Sequence, residues 1–338
     1  MSSPRIQPYF HPTTVLMVDD NQRFLDNFSL LLDERLACRF FTSASEALQL
    51  INAQARATTL DQRCCRYLRQ QEAAAGERTL RLDLTLIERE ISNTQRFADI
   101  SVVVVDYDMP EMNGLAFCQQ LKHPRVKKVL LTGVADEKLA VDAFNAGTIH
   151  HFLTKQDPDL TGKLNRTLEG LQQRYFSDVS TLLQTTLALD PPDFLHDSRF
   201  IDYFHRLLRQ HDIVEYYYVE DPDGFLLVST DGQLQRLLVS SEQSLQRALF
   251  SLRSLAPPTD VLKQLSGGKA LPWLWATPEE FGDEHFDWRE FVHPATRVAG
   301  EQETWLCALV DSPPADIEYD WQTSSYRAYL DSLDQLRR

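Results

Sequence analysis

The sequence predicts two domains of different class: an α/β doubly wound parallel sheet of five strands, then an α+β domain with an antiparallel sheet. Three observations carry this. The 338 residues suffice for two domains of ordinary size. Through the first half, short apolar runs alternate with amphipathic stretches, the pattern of strands buried between helices. Asp190-Pro191-Pro192-Asp193 then stops any helix, and beyond it apolar runs are joined by tight-turn sequences. The predicted division is residues 1–175, a linking helix at 160–190, and residues 191–338.

The elements follow in order. Val15–Val18, Arg39–Phe41, Val102–Val105, Val129–Leu131 and His151–Leu153 read as short buried strands. Between them lie amphipathic stretches: Phe24, Phe28, Leu31 and Leu32; Leu115, Phe117, Cys118 and Leu121; Leu139, Val141 and Phe144. Residues 53–97 break the rhythm. Rich in Arg, Gln, Ala and Leu, with Gly76 as the one breaker, they read as an inserted helical hairpin. Leu164, Leu168, Leu171, Tyr175, Val179, Leu182 and Thr186 follow a near-heptad stripe. The stripe fits a coiled-coil helix, or a last helix packed on its own sheet followed by a second short one.

Past the break, Phe200, Ile201, Phe204, Leu207 and Leu208 form one helix face. Glu215–Val219, Asp221-Pro222-Asp223-Gly224 and Phe225–Val228 make a hairpin signal. A helix over Leu245–Leu255 precedes a second hairpin, which pairs Phe291–Val298 with Thr304–Val310. A final helix carries Tyr326, Tyr329, Leu330, Leu333 and Leu336. Strands paired through tight turns and interrupted by helices suggest a domain of PAS-like sort.

Composition narrows function. With 34 basic and 49 acidic side chains the net charge is −15, and residues 190–338 alone carry −13. That opposes nucleic-acid binding, which is driven by phosphate neutralisation. Residues 54–96 form a mildly basic island, with Arg56, Arg63, Arg66 and Arg69 at near-helical spacing. No run is long and apolar enough for a membrane span, and the N-terminus lacks a signal-peptide core. The five cysteines show no metal-type spacing and read as reduced thiols, so a cytoplasmic protein is expected.

Chemistry concentrates at strand ends. Asp19-Asp20, Asp106, Thr132 and Lys155 each follow a different predicted strand. In an open parallel sheet the carboxyl ends of the strands line one crevice, so these residues should converge. Phosphoryl transfer to a carboxylate needs such a set. Asp106 would be the nucleophile. Mg²⁺ would relieve carboxylate repulsion through Asp19, Asp20, Asp106 and a backbone carbonyl at Asp108. Lys155 and the Thr132 hydroxyl would hold phosphoryl oxygens.

Val18-Asp19-Asp20-Asn21, Val105-Asp106-Tyr107-Asp108-Met109-Pro110-Glu111-Met112-Asn113-Gly114, Leu131-Thr132-Gly133, Ala146-Gly147 and Thr154-Lys155 together resemble a CheY-like receiver domain of two-component response regulators. The resemblance runs from about Thr13 to Phe176, interrupted at 53–97. It implies a sensor histidine kinase as phosphodonor to Asp106, with Thr132 as switch residue and Phe152 as switch aromatic. Two features depart from the family pattern: Gln156 stands where Pro usually follows the lysine, and the insertion replaces a short connection.

The C-terminal half offers no comparable set. Gly267-Gly268-Lys269 lacks the frame of a phosphate loop, and the sequence carries no Gly-Gly-Asp-Glu-Phe or Glu-Ala-Leu string. Tyr216, Tyr217, Tyr218, Trp273, Trp275, Trp288 and Trp305 are candidates for a ligand pocket or for core; a metal role for His150-His151 is remote. The layout resembles atypical response regulators that do not bind DNA, some of them linked to quorum-sensing circuits. The expected output is a contact with an unknown protein partner or ligand; the alternative is an enzyme acting on a nucleotide or small molecule. The stripe Leu164, Leu168, Leu171, Tyr175, Val179, Leu182 predicts a homodimer seam.

Overall fold

The computed structural model describes residues 6–55, 58–67, 80–133, 137–189, 192–274, 287–311 and 319–336. Arg56, Arg69, Gly76 and Trp275 lie outside them. The chain forms two compact units that do not follow its linear order. One comprises Met1–Phe10, Cys64–Ser92 and Leu183–Ser325; the other comprises His11–Arg63, Asn93–Leu182 and Tyr326–Arg338.

The second of these units holds the parallel sheet. Its five strands run in the order Cys38–Phe41, Thr14–Val18, Ile100–Asp106, Lys127–Thr132, His151–Thr154, and every neighbouring pair is parallel. Successive side chains leave a strand on opposite faces, so the valine runs feed two cores. Val103, Val105, Leu16 and Leu130 pack with Ala47, Ile51 and Phe117. Val102, Val104, Met17 and Leu131 pack with Leu25, Phe28, Leu164 and Leu168 on the other side. The C-terminal helix Tyr326–Leu336 belongs here as well. Its Tyr326 hydroxyl donates to the Arg35 carbonyl at 2.6 Å and accepts from the Ala37 N–H at 3.0 Å. Tyr329 lies within hydrogen-bond distance of Thr14, and both tyrosine rings pack on Phe97.

Here the stripe finds its partner. Leu164, Leu168, Leu171, Tyr175 and Val179 are all buried on helix Leu160–Val179, and the three leucines pack in the core against the sheet. That helix stops where the Ser180 hydroxyl bonds back to the Phe176 carbonyl at 2.6 Å, and a separate helix, Thr181–Leu187, follows. Leu182, at its start, is half-buried. Leu164, Leu168 and Leu171 thus cover the sheet of their own unit, which is the second of the two readings of the stripe, a last helix on its own sheet followed by a second short one.

The other unit is built on a six-stranded sheet, in the order Tyr9–Phe10, Ile213–Val219, Gly224–Ser229, Leu234–Ser241, Thr304–Asp311, Thr296–Ala299, with every pair antiparallel. On one face Phe204, from helix Ser198–Gln210, meets Phe225 and Tyr216 at ring distances of 4.5 and 5.1 Å. A second core joins Leu238, Leu306 and Ala308 to Leu245 and Leu249 of helix Glu242–Leu252, and to Val261 and Leu265 of helix Thr259–Ser266.

The insertion is not a helical hairpin in its described residues. A short helix, Leu60–Cys64, leads into strand Cys65–Tyr67, which pairs antiparallel with Leu80–Leu82. Helix Thr85–Glu88 then packs on strand Ile213–Val219. Residues 64–92 thus belong to the antiparallel unit, whose sheet supplies the hydrophobic cover that a free-standing helix pair would lack. Among the described residues no helix is long and apolar enough to cross a membrane. All five cysteines are buried free thiols.

Candidate functional site

The register of the parallel sheet assembles the site. Val18 pairs with Val105 and Asp106 with Leu131, so Asp19 and Asp106 leave adjacent strands at the same level. Lys155 comes off the last strand, its N–H donating to the Thr132 carbonyl at 2.9 Å. The Lys155 ammonium then reaches back to Asp19 Oδ2 at 2.6 Å and Asp106 Oδ1 at 2.9 Å. Asp19, Asp20 and Asp106 can each offer a carboxylate oxygen within 4.8 Å of the others. Asp19 and Asp106 are buried; Asp20 and Asp108 face solvent.

Local sequence explains the precision. Asp19 Oδ1 accepts from the Asn21 N–H at 2.9 Å, and Asn21 caps helix Gln22–Ser29 through the Phe24 N–H. Asn113 caps the next helix by accepting from the Ala116 N–H at 2.8 Å. Gly114 follows because nothing larger fits: a Cβ there would lie 2.4 Å from the Asp106 carbonyl oxygen and 2.7 Å from Leu130. The Asn-Gly pair thus brings a helix start against the backbone of Asp106.

Burial pushes the Asp106 carboxyl above its ordinary range; Lys155 opposes this, while the nearby Asp19 charge adds to it. For Lys155 burial alone would lower the pKa. Its hydrogen bonds and attraction to Asp19 and Asp106 prevail, and the pKa is raised. The lysine is accordingly charged and holds the two carboxylates together. Thr132 is fully buried, and its hydroxyl has no hydrogen-bond partner. A buried orphan hydroxyl at a strand end is costly unless an acceptor arrives there. Phe152 is half-buried, edge-on to Phe144 at 6.5 Å.

The donor set fits a hard divalent cation, since three carboxylates converge and leave open positions for water. A Mg²⁺ ion held by Asp19, Asp20 and Asp106 would neutralise charge on phosphoryl oxygens.

Comparison with known proteins settles the family. A model of the response regulator receiver domain matches residues 80–164. The structure of the response regulator LqsR of Legionella pneumophila is similar over 100% of this chain and 99% of its own, at 34% identity and a TM-score of 0.76. The chain belongs to the response regulators. Receiver-domain structures from Clostridium thermocellum and Methanospirillum hungatei each match 48% of this response regulator at 19% identity. They match 95% and 96% of their own chains, with TM-scores of 0.33 and 0.30. Curated protein sequences include no match. The family match begins at residue 80, and the fold brings Asp19 and Asp20, which lie before it, together with Asp106.

Nothing in the sequence assigns a role at the site to two further residues. Glu111 accepts from the Ser45 N–H at 3.0 Å and the Ser43 hydroxyl at 3.3 Å, tying the loop after Asp106 to the start of helix Ala44–Gln54. Phe24 places its ring 4.6 Å from the Lys155 ammonium.

Other sequence candidates resolve as structure. Gly267 and Gly268 close helix Thr259–Ser266, donating to the Lys263 and Leu265 carbonyls, with Gly268 at φ +62°. Tyr216, Tyr217, Tyr218 and Trp305 are buried, and Tyr218 and Trp305 also line an open cavity of the antiparallel unit. Trp273 and Trp288 are half-buried against the second core of the same unit. His150 accepts from the Lys128 N–H at 3.1 Å, and burial beside Lys127 and Lys128 lowers its pKa to about 4, which suits a neutral structural ring.

Proposed function

We propose that Asp106 accepts a phosphoryl group from a sensor histidine kinase in a Mg²⁺-dependent step. We further propose that the antiparallel unit passes the signal on through a protein partner or ligand in the cytoplasm. An Asp106 oxygen forms the new bond to phosphorus as the bond from phosphorus to the donor's imidazole nitrogen breaks. Lys155 then exchanges part of its carboxylate contact for a phosphoryl oxygen, and the Thr132 hydroxyl donates to another. The added charge of roughly −1.5 to −2 draws Thr132 toward it, and Phe152 follows into the vacated space.

The observation that carries the reading is the Lys155 bridge to Asp19 and Asp106 beside the unpartnered Thr132 hydroxyl. The net charge of −13 over residues 190–338 weighs against a nucleic-acid target. Incubation with acetyl phosphate and Mg²⁺ tests the proposal. Wild type should be labelled and Asp106→Asn should not, because an amide is not a nucleophile. Thr132→Ala should be labelled yet lose the phosphate-induced change in hydrogen exchange around Phe152. Equal labelling of Asp106→Asn and wild type would overturn the assignment.

A further inference from the structure

We propose that Phe24 is a positioning residue for Lys155: its ring face is a third seat for the ammonium, beside Asp19 and Asp106, and keeps the lysine over the site when a cation takes those carboxylates. The proposal rests on the phosphorylation reading above and extends it to a residue outside the motifs.

The problem it answers is a conflict of partners. Lys155 holds Asp19 Oδ2 at 2.6 Å and Asp106 Oδ1 at 2.9 Å, and these same two groups belong to the carboxylate cluster that suits a divalent cation. A hard cation draws on carboxylate oxygens and repels an ammonium nearby. Lys155 would then lose its anchors, and its side chain, 24% exposed, has an open way to water. An aromatic face attracts an ammonium through its quadrupole and offers no oxygen to a hydrated metal. It is therefore the one of the three contacts that the cation does not compete for.

Phe24 is held for this task. Its N–H is bound by the Asn21 cap at 3.1 Å, and its ring stacks on Phe28 at 5.2 Å with planes 13° apart. Phe28 is itself buried in the core against the sheet. The helix that begins beside Asp19 thus carries the ring as a fixed surface, 4.6 Å from the Lys155 nitrogen.

The experiment compares full-length wild type with Phe24→Leu, which keeps apolar bulk without a π face, and Phe24→Tyr, which keeps the face. Labelling by acetyl phosphate at saturating Mg²⁺ should slow about threefold to tenfold in Phe24→Leu and stay within about twofold of wild type in Phe24→Tyr. A second readout does not depend on phosphorylation. In protein carrying ¹³C-labelled lysine, the chain's eight lysines give few signals, and Lys155 is assigned by its loss in Lys155→Arg. Its side-chain resonance should be shifted upfield by the ring current in wild type and Phe24→Tyr, with and without Mg²⁺, and should return downfield in Phe24→Leu. An unchanged Lys155 resonance in Phe24→Leu, or equal slowing in both variants, would overturn the proposal. If wild type itself takes no label, the phosphorylation reading fails, and the Lys155 resonance alone still decides for or against the seat.

Discussion

The two sheets put polar side chains to different use. In the parallel sheet all strands point one way, so the residues that follow Val18, Val105 and Thr154 come together, and Asp19, Asp106 and Lys155 meet within hydrogen-bond distance. In the antiparallel sheet neighbouring strands run in opposite directions, and among the described residues its acids form no close carboxylate cluster. Asp193, Glu220, Asp221, Asp223 and Glu303 ring an open cavity of about 670 Å³ in that unit, with Arg247 among them. Among the described residues the one carboxylate group close enough to hold a metal is Asp19, Asp20 and Asp106. Strand direction, more than composition, decides where chemistry can gather.

Substitutions that fit one sheet and fail in the other sharpen this contrast. The largest effect is expected at Gly224 of the antiparallel unit, where a Cβ would lie 1.8 Å from the Leu237 carbonyl oxygen and φ is +152°. Gly224→Ala should cost about 4 kcal/mol in denaturant melts while leaving Asp106 labelling intact at temperatures where the parallel unit stays folded. Loss of labelling there would break the comparison.

Next is Lys155→Met, which leaves Asp19 and Asp106 facing each other uncompensated. The cost should be about 2–3 kcal/mol without metal. Millimolar Mg²⁺ should recover much of it, because the carboxylates are freed for the ion, and calorimetry with and without Mg²⁺ reads both. Absence of Mg²⁺ rescue would count against a cation site.

His11 gives a pH test of the parallel unit. Burial among Phe97 and Phe176 depresses its pKa to about 3; a hydrogen bond to the Pro12 carbonyl opposes the shift and the Arg96 charge adds to it. Because the folded pKa lies below the ordinary 6.5, the unfolded chain takes up the proton first as pH falls. His11 therefore contributes fully above about pH 6.5, and its contribution drains away toward pH 3. Between about pH 6.5 and 4.5 wild type should lose about 2–3 kcal/mol more than His11→Phe, as measured by urea unfolding. The smallest effect belongs to the exposed Arg297–Glu242 pair at 2.7 Å. Arg297→Ala should change stability by less than about 1 kcal/mol, and less still in high salt.

The contrast also governs what the sequence disclosed. Val102–Val105 is legible because a strand covered on both faces is apolar throughout, Asp106 because a carboxylate directly follows that apolar run, and Gly114 because close packing leaves no room for a Cβ. The leucines from Leu164 to Leu171 were equally visible as a stripe, yet periodicity does not say what a stripe packs against; their partner is the sheet of the same chain. The insertion hid its strands because Cys65–Tyr67 and Leu80–Leu82 are three residues each, too short for alternation to register. Tyr9–Phe10 is shorter still, and only pairing with Tyr217 and Tyr216 makes it a strand. Phe24 read as one apolar position on a helix face, since its neighbour Lys155 is distant in sequence and adjacent only in the fold.

The order in which the chain visits its two units bears on how such a protein is inherited. It passes from one to the other after Phe10, Arg63, Ser92, Leu182 and Ser325. A genetic crossover at the Asp190–Asp193 break, the natural seam in the sequence, would carry off a receiver without Tyr326 and Tyr329. It would leave behind an output unit stripped of the Tyr9–Phe10 strand and of residues 64–92. A single cut at that break therefore separates neither unit whole, and a reading frame truncated before Tyr326 removes contacts to Thr14, Arg35 and Ala37, near the end of the protein encoded first.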